Sequence, residues 1–178
     1  GEALAVRRGE YLFGPGGITF YASGTDTLPV KIYAYNDEYV VFDAGYTPDQ
    51  LTAVSQNPDA YKALLNFRGD YGVVEGITFQ GCYVLCILFN GDYLIMKDST
   101  IIGGLEDGIK TVTAASNGLI LGNDFRAFID QAIDVFGIEK AYIVNNTLHD
   151  ADLSVLGPGV PLWTKGGAHD VYLVGNIF

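Results

Sequence analysis

The sequence predicts an all-β chain wound as a parallel β-helix, and three observations carry that prediction. First, an apolar run ending in asparagine recurs in "LILGNDF" (119–125), "YIVNNTL" (142–148) and "YLVGNIF" (172–178). Asn123 and Asn146 are 23 residues apart, and Asn146 and Asn176 are 30 apart. Second, the chain holds 23 glycines and 12 tyrosines, a composition suited to strands joined by tight turns. Third, no helical periodicity accompanies the repeat. Two or three short strands in about 22 residues is too short a period for a strand–helix unit. One solenoid domain over 1–178 follows, with coils of about 22–30 residues.

The elements are read in order. Over 1–70, "GEALAVRRGEYLF" and "LPVKIYAYNDEYVVFDAG" read as alternating strands around turns at "GPGG" and "SGTDT". The polar, proline-punctuated stretch 47–65 is expected to project from the coil as a loop with a helical turn. Regular coils fill 71–178. "YGVVEGITF" (71–79) and "DYLIMKDSTI" (92–101) have the same strand character without the asparagine, and Val73 aligns with Leu94 at a spacing of 21. A second series of strands is read in "DGIKTV" (107–112), "QAIDVF" (131–136) and "LWTKGG" (162–167). Asparagines stacked at one corner can bond to each other and to the turn backbone, so Asn123, Asn146 and Asn176 are assigned to the fold. The chain ends inside a strand–turn unit. Further C-terminal coils, or a neighbouring subunit, are therefore expected to cap it.

A formal charge of −11 argues against a nucleic-acid partner, and an acidic ligand would need local neutralisation, for which a bound cation is the obvious candidate. No apolar run reaches the length of a membrane span, and the N-terminus carries no signal-peptide pattern, so a mature or excised form is expected. Cys82 and Cys86 lie four apart in "GCYVLCILF". On an extended strand they share a face but stand too far apart to bond, so both are read as buried small hydrophobes.

Aligning the second series through Ile109, Ile133 and Thr164 puts Lys110, Asp134 and Lys165 in one outward column. Asp107 precedes Asn123 by 16 residues and Asp130 precedes Asn146 by 16, which with Glu106 gathers four carboxylates over two coils. Two readings stand. The column is a solvated salt-bridge ladder, or it is a calcium and substrate site in which Glu106, Asp107, Asp130 and Asp134 supply hard oxygen ligands and a lysine stands opposite.

At these residues the chain resembles the secreted right-handed β-helix polysaccharide lyases, the family-9 pectate lyases above all. "EDGIK", "DQAIDVF" and "TKGG…VYLVGN" fall in that family's order. The resemblance implies calcium held by Glu106 or Asp107 with Asp130, Gln131 and Asp134, where Gln131 departs from the family's carboxylate. It implies Lys165, which stands before Gly-Gly, as the catalytic base. It also implies a secreted or cell-surface enzyme that cleaves an acidic polysaccharide by β-elimination. Lys110, Trp163 and Tyr142 are the expected substrate contacts. A lysine base acts as the free amine, and free lysine titrates near ~10.4, so an alkaline optimum is expected.

Two rivals remain open. A non-catalytic carbohydrate-binding, adhesin-like or structural β-helix needs none of this chemistry. An inverting glycoside hydrolase would need two carboxylates about 6.5–9.5 Å apart, which Asp107, Asp130 and Asp134 can supply, but the Asn-Thr-Asp, Gly-His-Gly and Arg-Ile-Lys signatures of the polygalacturonases are absent. His149 and His169 are read as isolated turn residues.

Overall fold

The computed structural model describes residues 1–14, 16–46, 63–104, 106–112, 115–151 and 160–178. The chain winds as a stacked coil of three short strands per turn. The first turn holds β1 (Ala3–Val6), β2 (Gly9–Leu12) and β3 (Ile18–Phe20), and the second β4 (Val30–Ala34), β5 (Val40–Asp43) and β6 (Leu65–Phe67). The third holds β7 (Gly72–Glu75), β8 (Thr78–Gln80) and β9 (Leu85–Phe89). The fourth holds β10 (Ile95–Lys97), β11 (Thr100–Ile102) and β12 (Asp107–Thr111). The fifth holds β13 (Gly118–Leu121), β14 (Asp124–Arg126) and β15 (Gln131–Phe136). β16 (Ala141–Val144), β17 (Thr147–His149) and β18 (Val160–Lys165) make the sixth, and β19 (Val171–Val174) opens the next. Each strand pairs in parallel with its equivalent one turn away. The result is a seven-stranded first sheet (β1 to β19) and six-stranded second (β2 to β17) and third (β3 to β18) sheets. This is a parallel β-helix.

Register stacks like side chains into interior columns. In the first sheet Leu4, Ile32, Val74, Met96, Ile120, Ile143 and Leu173 are successive partners. The second sheet contributes Tyr11, Phe42, Phe79, Ile101, Phe125 and Leu148, and the third Ile18, Leu65, Ile87, Ile109, Ile133 and Leu162. Leu4 and Leu173 are each 48% exposed, while the rungs between them are at most 3% exposed. Burial therefore comes from having a coil on both sides. Each fully covered aliphatic side chain contributes about 1.5–3 kcal/mol, and the contribution is shared between neighbouring coils.

The corner between the first and second sheets explains the recurring asparagine. Asn146 Oδ1 accepts from Asn123 N at 2.9 Å and Asn123 Nδ2 at 3.0 Å, and Asn176 Oδ1 does the same for Asn146. Ser99 N donates to Asn123 Oδ1, which extends the ladder one coil back. The residue before each rung is left-handed: Gly122 at φ 64°, Asn145 at 53° and Gly175 at 65°. Glycine and asparagine are the residues that tolerate this conformation, hence "GN", "NN" and "GN".

Three expectations need correction. Val73 pairs with Ile95, not Leu94, which makes the period there 22. Leu65 already belongs to β6, with Ala63 and Leu64 buried before it, and the rest of the expected projecting loop, 47–62, lies outside the described residues. Cys82 and Cys86 form a disulfide, with Cα atoms 5.1 Å apart. A fully extended four-residue step would span about 13 Å. The chain instead bends at Gly81, Tyr83 and Val84 before β9 begins, and this brings the two sulfurs together. Both cysteines are buried, as expected.

A lysine–aspartate candidate site on the third sheet

β12, β15 and β18 are adjacent strands of the third sheet, and their side chains assemble the site. Asp134, on β15, is fully buried. Its Oδ2 accepts from Lys110 Nζ of β12 at 2.6 Å and lies 3.1 Å from Lys165 Nζ of β18. Lys110 also donates to Asp107 Oδ2 at 2.9 Å, and Asp107 is 1% exposed. The four groups form a chain, Lys165–Asp134–Lys110–Asp107, with the aspartates buried and the lysines part-exposed. Trp163, 46% exposed, is Asp134's register partner on β18. Lys165 Nζ lies 4.6 Å from its ring centroid.

The electrostatics follow from burial and sharing. Burial pushes the Asp107 carboxyl up to about 6, against the pull of Lys110, and the neighbouring Asp134 charge adds to the rise. Burial also works against the Lys110 ammonium, but its hydrogen bonds to Asp134 and Asp107 outweigh that and hold its pKa above the ordinary value. The two directions are opposed for a simple ion pair, which would lower the acid as it raises the base. Burial of the Asp107 carboxyl outweighs its share of a cation that sits closer to Asp134, while Lys110 gains two acceptors.

The structure joins some expected residues and separates others. Lys110 and Asp134 are direct register partners, as the alignment has them. Lys165 is not in that row: it pairs with Phe136, two residues further along, and reaches back diagonally to Asp134. Nor is Asp134 on an exposed outer surface, since the lysines cover it. Asp107 pairs with Gln131, not Asp130, so the 16-residue count from the asparagines misaligns the two coils. Glu106 and Asp130 lie just outside the strands, part-exposed, and take part in no ion pair among the described residues. Tyr142 lies on β16 in the first sheet, stacked on Tyr172 at 5.0 Å with Lys140 over its ring, and does not join Lys110 and Lys165.

Among the described residues, no three His, Cys, Asp or Glu side chains stand together as a metal-holding group. The expected calcium quartet therefore does not converge, and Lys110 spans two of its members. The arrangement as it stands does not fit a divalent cation. Sharing one ammonium also keeps the Oδ2 atoms of Asp107 and Asp134 closer than the ~6.5 Å an inverting glycosidase pair needs. The Gly-Gly after Lys165 has a backbone explanation. Gly166 and Gly167 adopt φ 66° and 83°, and a Cβ on Gly166 would meet the Phe136 ring at 2.6 Å.

The family model described as "Right handed beta helix region" matches residues 30–178. The chain belongs to that family. Among curated proteins no sequence matches it. Among solved structures, this β-helix is similar to a candidate glycosyl hydrolase from Parabacteroides merdae ATCC 43184, with a TM-score of 0.66 and 12% identity over 98% of this chain and 82% of that one. An alginate lyase from Paenibacillus sp. str. FPU-7 gives a TM-score of 0.64 and 13% identity over 98% and 68% of the two chains. Pectate lyase Pel9A gives 0.52 and 17%, covering 88% of this chain, which spans about half (49%) of Pel9A. At these identities the likeness is one of fold. No helix among the described residues of this β-helix is long and apolar enough to cross a membrane.

One cluster on the β-helix was not read from the sequence. His149 is not isolated. It ends β17, and its Nε2 lies 2.9 Å from Asp124 Oδ1 on β14 while its Nδ1 lies 2.8 Å from Asp150 Oδ2. The spacing of 25 residues from Asp124, close to one coil, was the available signal. Nor is His169 isolated: it lies outside the strands, and its Nδ1 stands 3.5 Å from Asp170 Oδ2. The hydrogen bond to Asp124, then that to Asp150, raises the His149 pKa above its usual value. A raised histidine stabilises the fold fully below its unfolded pKa of ~6.5, and the contribution fades as pH rises through the folded value. The melting temperature of the native protein is therefore expected to exceed that of His149→Asn in mild acid, with the gap closing at higher pH. A gap that stays constant with pH would refute the ion-pair role.

Proposed function

We propose that this β-helix is a secreted or cell-surface polysaccharide lyase that cleaves a uronate-containing polymer by β-elimination, with Lys165 as the base. One observation carries the reading: two lysines converge on one buried aspartate beside an exposed tryptophan, on a rigid sheet. Ammonium groups recognise a uronate carboxylate, and an indole face stacks on a sugar ring. Negative charge grows on that carboxylate as C5 loses its proton, so a cation fixed beside it stabilises the transition state.

The lysines divide the roles by their partners. Lys110 is tied to two carboxylates and remains the fixed cation, while Lys165 is tied to one and is the more exposed. As the free amine, Lys165 takes the C5 proton. The C5–H electrons form the C4–C5 double bond, the C4–O bond breaks, and the departing oxygen takes up a proton. The pectate- and alginate-lyase neighbours support the reading at the level of fold. A disulfide between Cys82 and Cys86 suits an oxidising compartment, consistent with export.

The test is ultraviolet absorbance of unsaturated uronate ends, with pectate, alginate and glycosaminoglycans as substrates at alkaline pH, in calcium and in chelator. Product on one of these polymers is expected. Trp163→Ala should raise KM more than it lowers kcat, because the indole contributes binding and not bond breaking. Retention of a uronate polymer without product would instead identify a binding module, for which the exposed Trp163 and the Tyr142–Tyr172 stack are the supporting features.

A further inference from the structure

The chain Lys165–Asp134–Lys110–Asp107 is balanced in formal charge, with two carboxylates and two ammonium groups. A divalent cation would ordinarily supply that balance where buried carboxylates crowd together. Here Lys110 Nζ lies 2.6 Å from Asp134 Oδ2 and 2.9 Å from Asp107 Oδ2, between the two. The register partner of Asp107 is Gln131, buried and uncharged, so the row adds no further negative charge for a metal to neutralise. Glu106 and Asp130, the remaining carboxylates, do not reach the pair.

We propose that the Lys110 ammonium stands in the place of a resident divalent cation, so that lysines and not calcium offset the charge of the two buried aspartates and face an acidic sugar bound beside them. The statement about the sugar rests on the lyase reading; the statement about the metal does not. The Oδ1 atoms of Asp107 and Asp134 are buried without a hydrogen-bond partner. They are the donors that a metal could still recruit, and a direct calcium titration reads whether it does.

The probe is calcium alone, on the native protein, read by thermal melting in calcium and in chelator and by titration calorimetry. The native midpoint is expected to be the same in both, with no binding heat. A resident site would instead raise the midpoint by about 5–10 °C at about 100 times its Kd. Such a rise, accompanied by a heat lost in Asp134→Asn, would overturn the proposal. Lys110→Met removes the charge and keeps most of the stem. It should melt lower in chelator and recover toward the native midpoint in calcium, because the vacated pair then needs another cation. A Lys110→Met that folds and ignores calcium would also overturn the equivalence. If it does not fold, the native titration decides alone. Absence of lyase product would leave the result standing, so the two readings fail separately.

Discussion

Lys165→Ala is expected to lower the rate of unsaturated-product formation by about 10²–10⁴-fold, the range a positioned acid or base contributes. The fold should survive the change. Lys165 closes β18 with a side chain one-third exposed, and Asp134 keeps its shorter bond to Lys110 at 2.6 Å. What is lost structurally is the part-exposed ion pair and the cation–π contact with Trp163, the latter worth about 0.5–1 kcal/mol. Lys165→Arg makes the sharper test. Arginine keeps the charge, the reach toward Asp134 and the stacking on the indole, yet it stays protonated in proteins and so cannot serve as the base. Binding, read through KM, should remain near native while kcat falls with that of the alanine variant. An arginine variant with near-native kcat would place the base elsewhere and reduce Lys165 to a carboxylate contact.

How far the sequence carried this reading is clearest at Lys165 itself. The alignment placed Lys165 in the row of Asp134, but that row belongs to Trp163, two residues earlier. Side chains alternate with a period of two, so a two-residue slip keeps the same face while moving the side chain along the strand. Lys165 could therefore meet Asp134 although its row was wrong. A slip of one residue was costlier. Counting back from the asparagines assumed equal corners, but β15 begins 15 residues before Asn146 where β12 begins 16 before Asn123. That paired Asp107 with Asp130, when the partner is Gln131, and it inflated the expected metal site. The disulfide was missed because extended geometry was assumed through a segment that bends. Lys110's second partner was hidden for a similar reason. Its contact with Asp107, three residues earlier on the same strand, is not one that the alternation of an ideal strand suggests.

The asparagine ladder gives the largest stability effect, and the argument turns on how many groups one side chain satisfies. Asn146 is 0% exposed. Its Oδ1 accepts from the backbone and the side chain of Asn123, and its Nδ2 donates to Ile120 O at 2.9 Å and Asn176 Oδ1 at 3.0 Å. Asn146→Ala strands the Asn123 N–H inside the corner and takes one bond each from Asn123 Nδ2, Ile120 O and Asn176 Oδ1. A buried, unsatisfied group costs about 1–3 kcal/mol and each further lost bond about 0.5–1.5 kcal/mol, so a loss of about 3–5 kcal/mol is expected. For a chain of this length that is roughly 10 °C or more in melting temperature. Asn146→Asp keeps the acceptor but replaces the donor and buries a charge, so it should destabilise as well, least in acid where the carboxyl is protonated. Asn123 and Asn146 share their bonds, so the double alanine variant should cost clearly less than the sum of the singles. Because stacked coils hold only their neighbours, the damage should also be local. Hydrogen exchange in Asn146→Ala is expected to rise in β16, β17 and β19 before it rises in β4 and β7. A uniform rise across all coils would mean the ladder acts on the fold as one cooperative unit and not rung by rung.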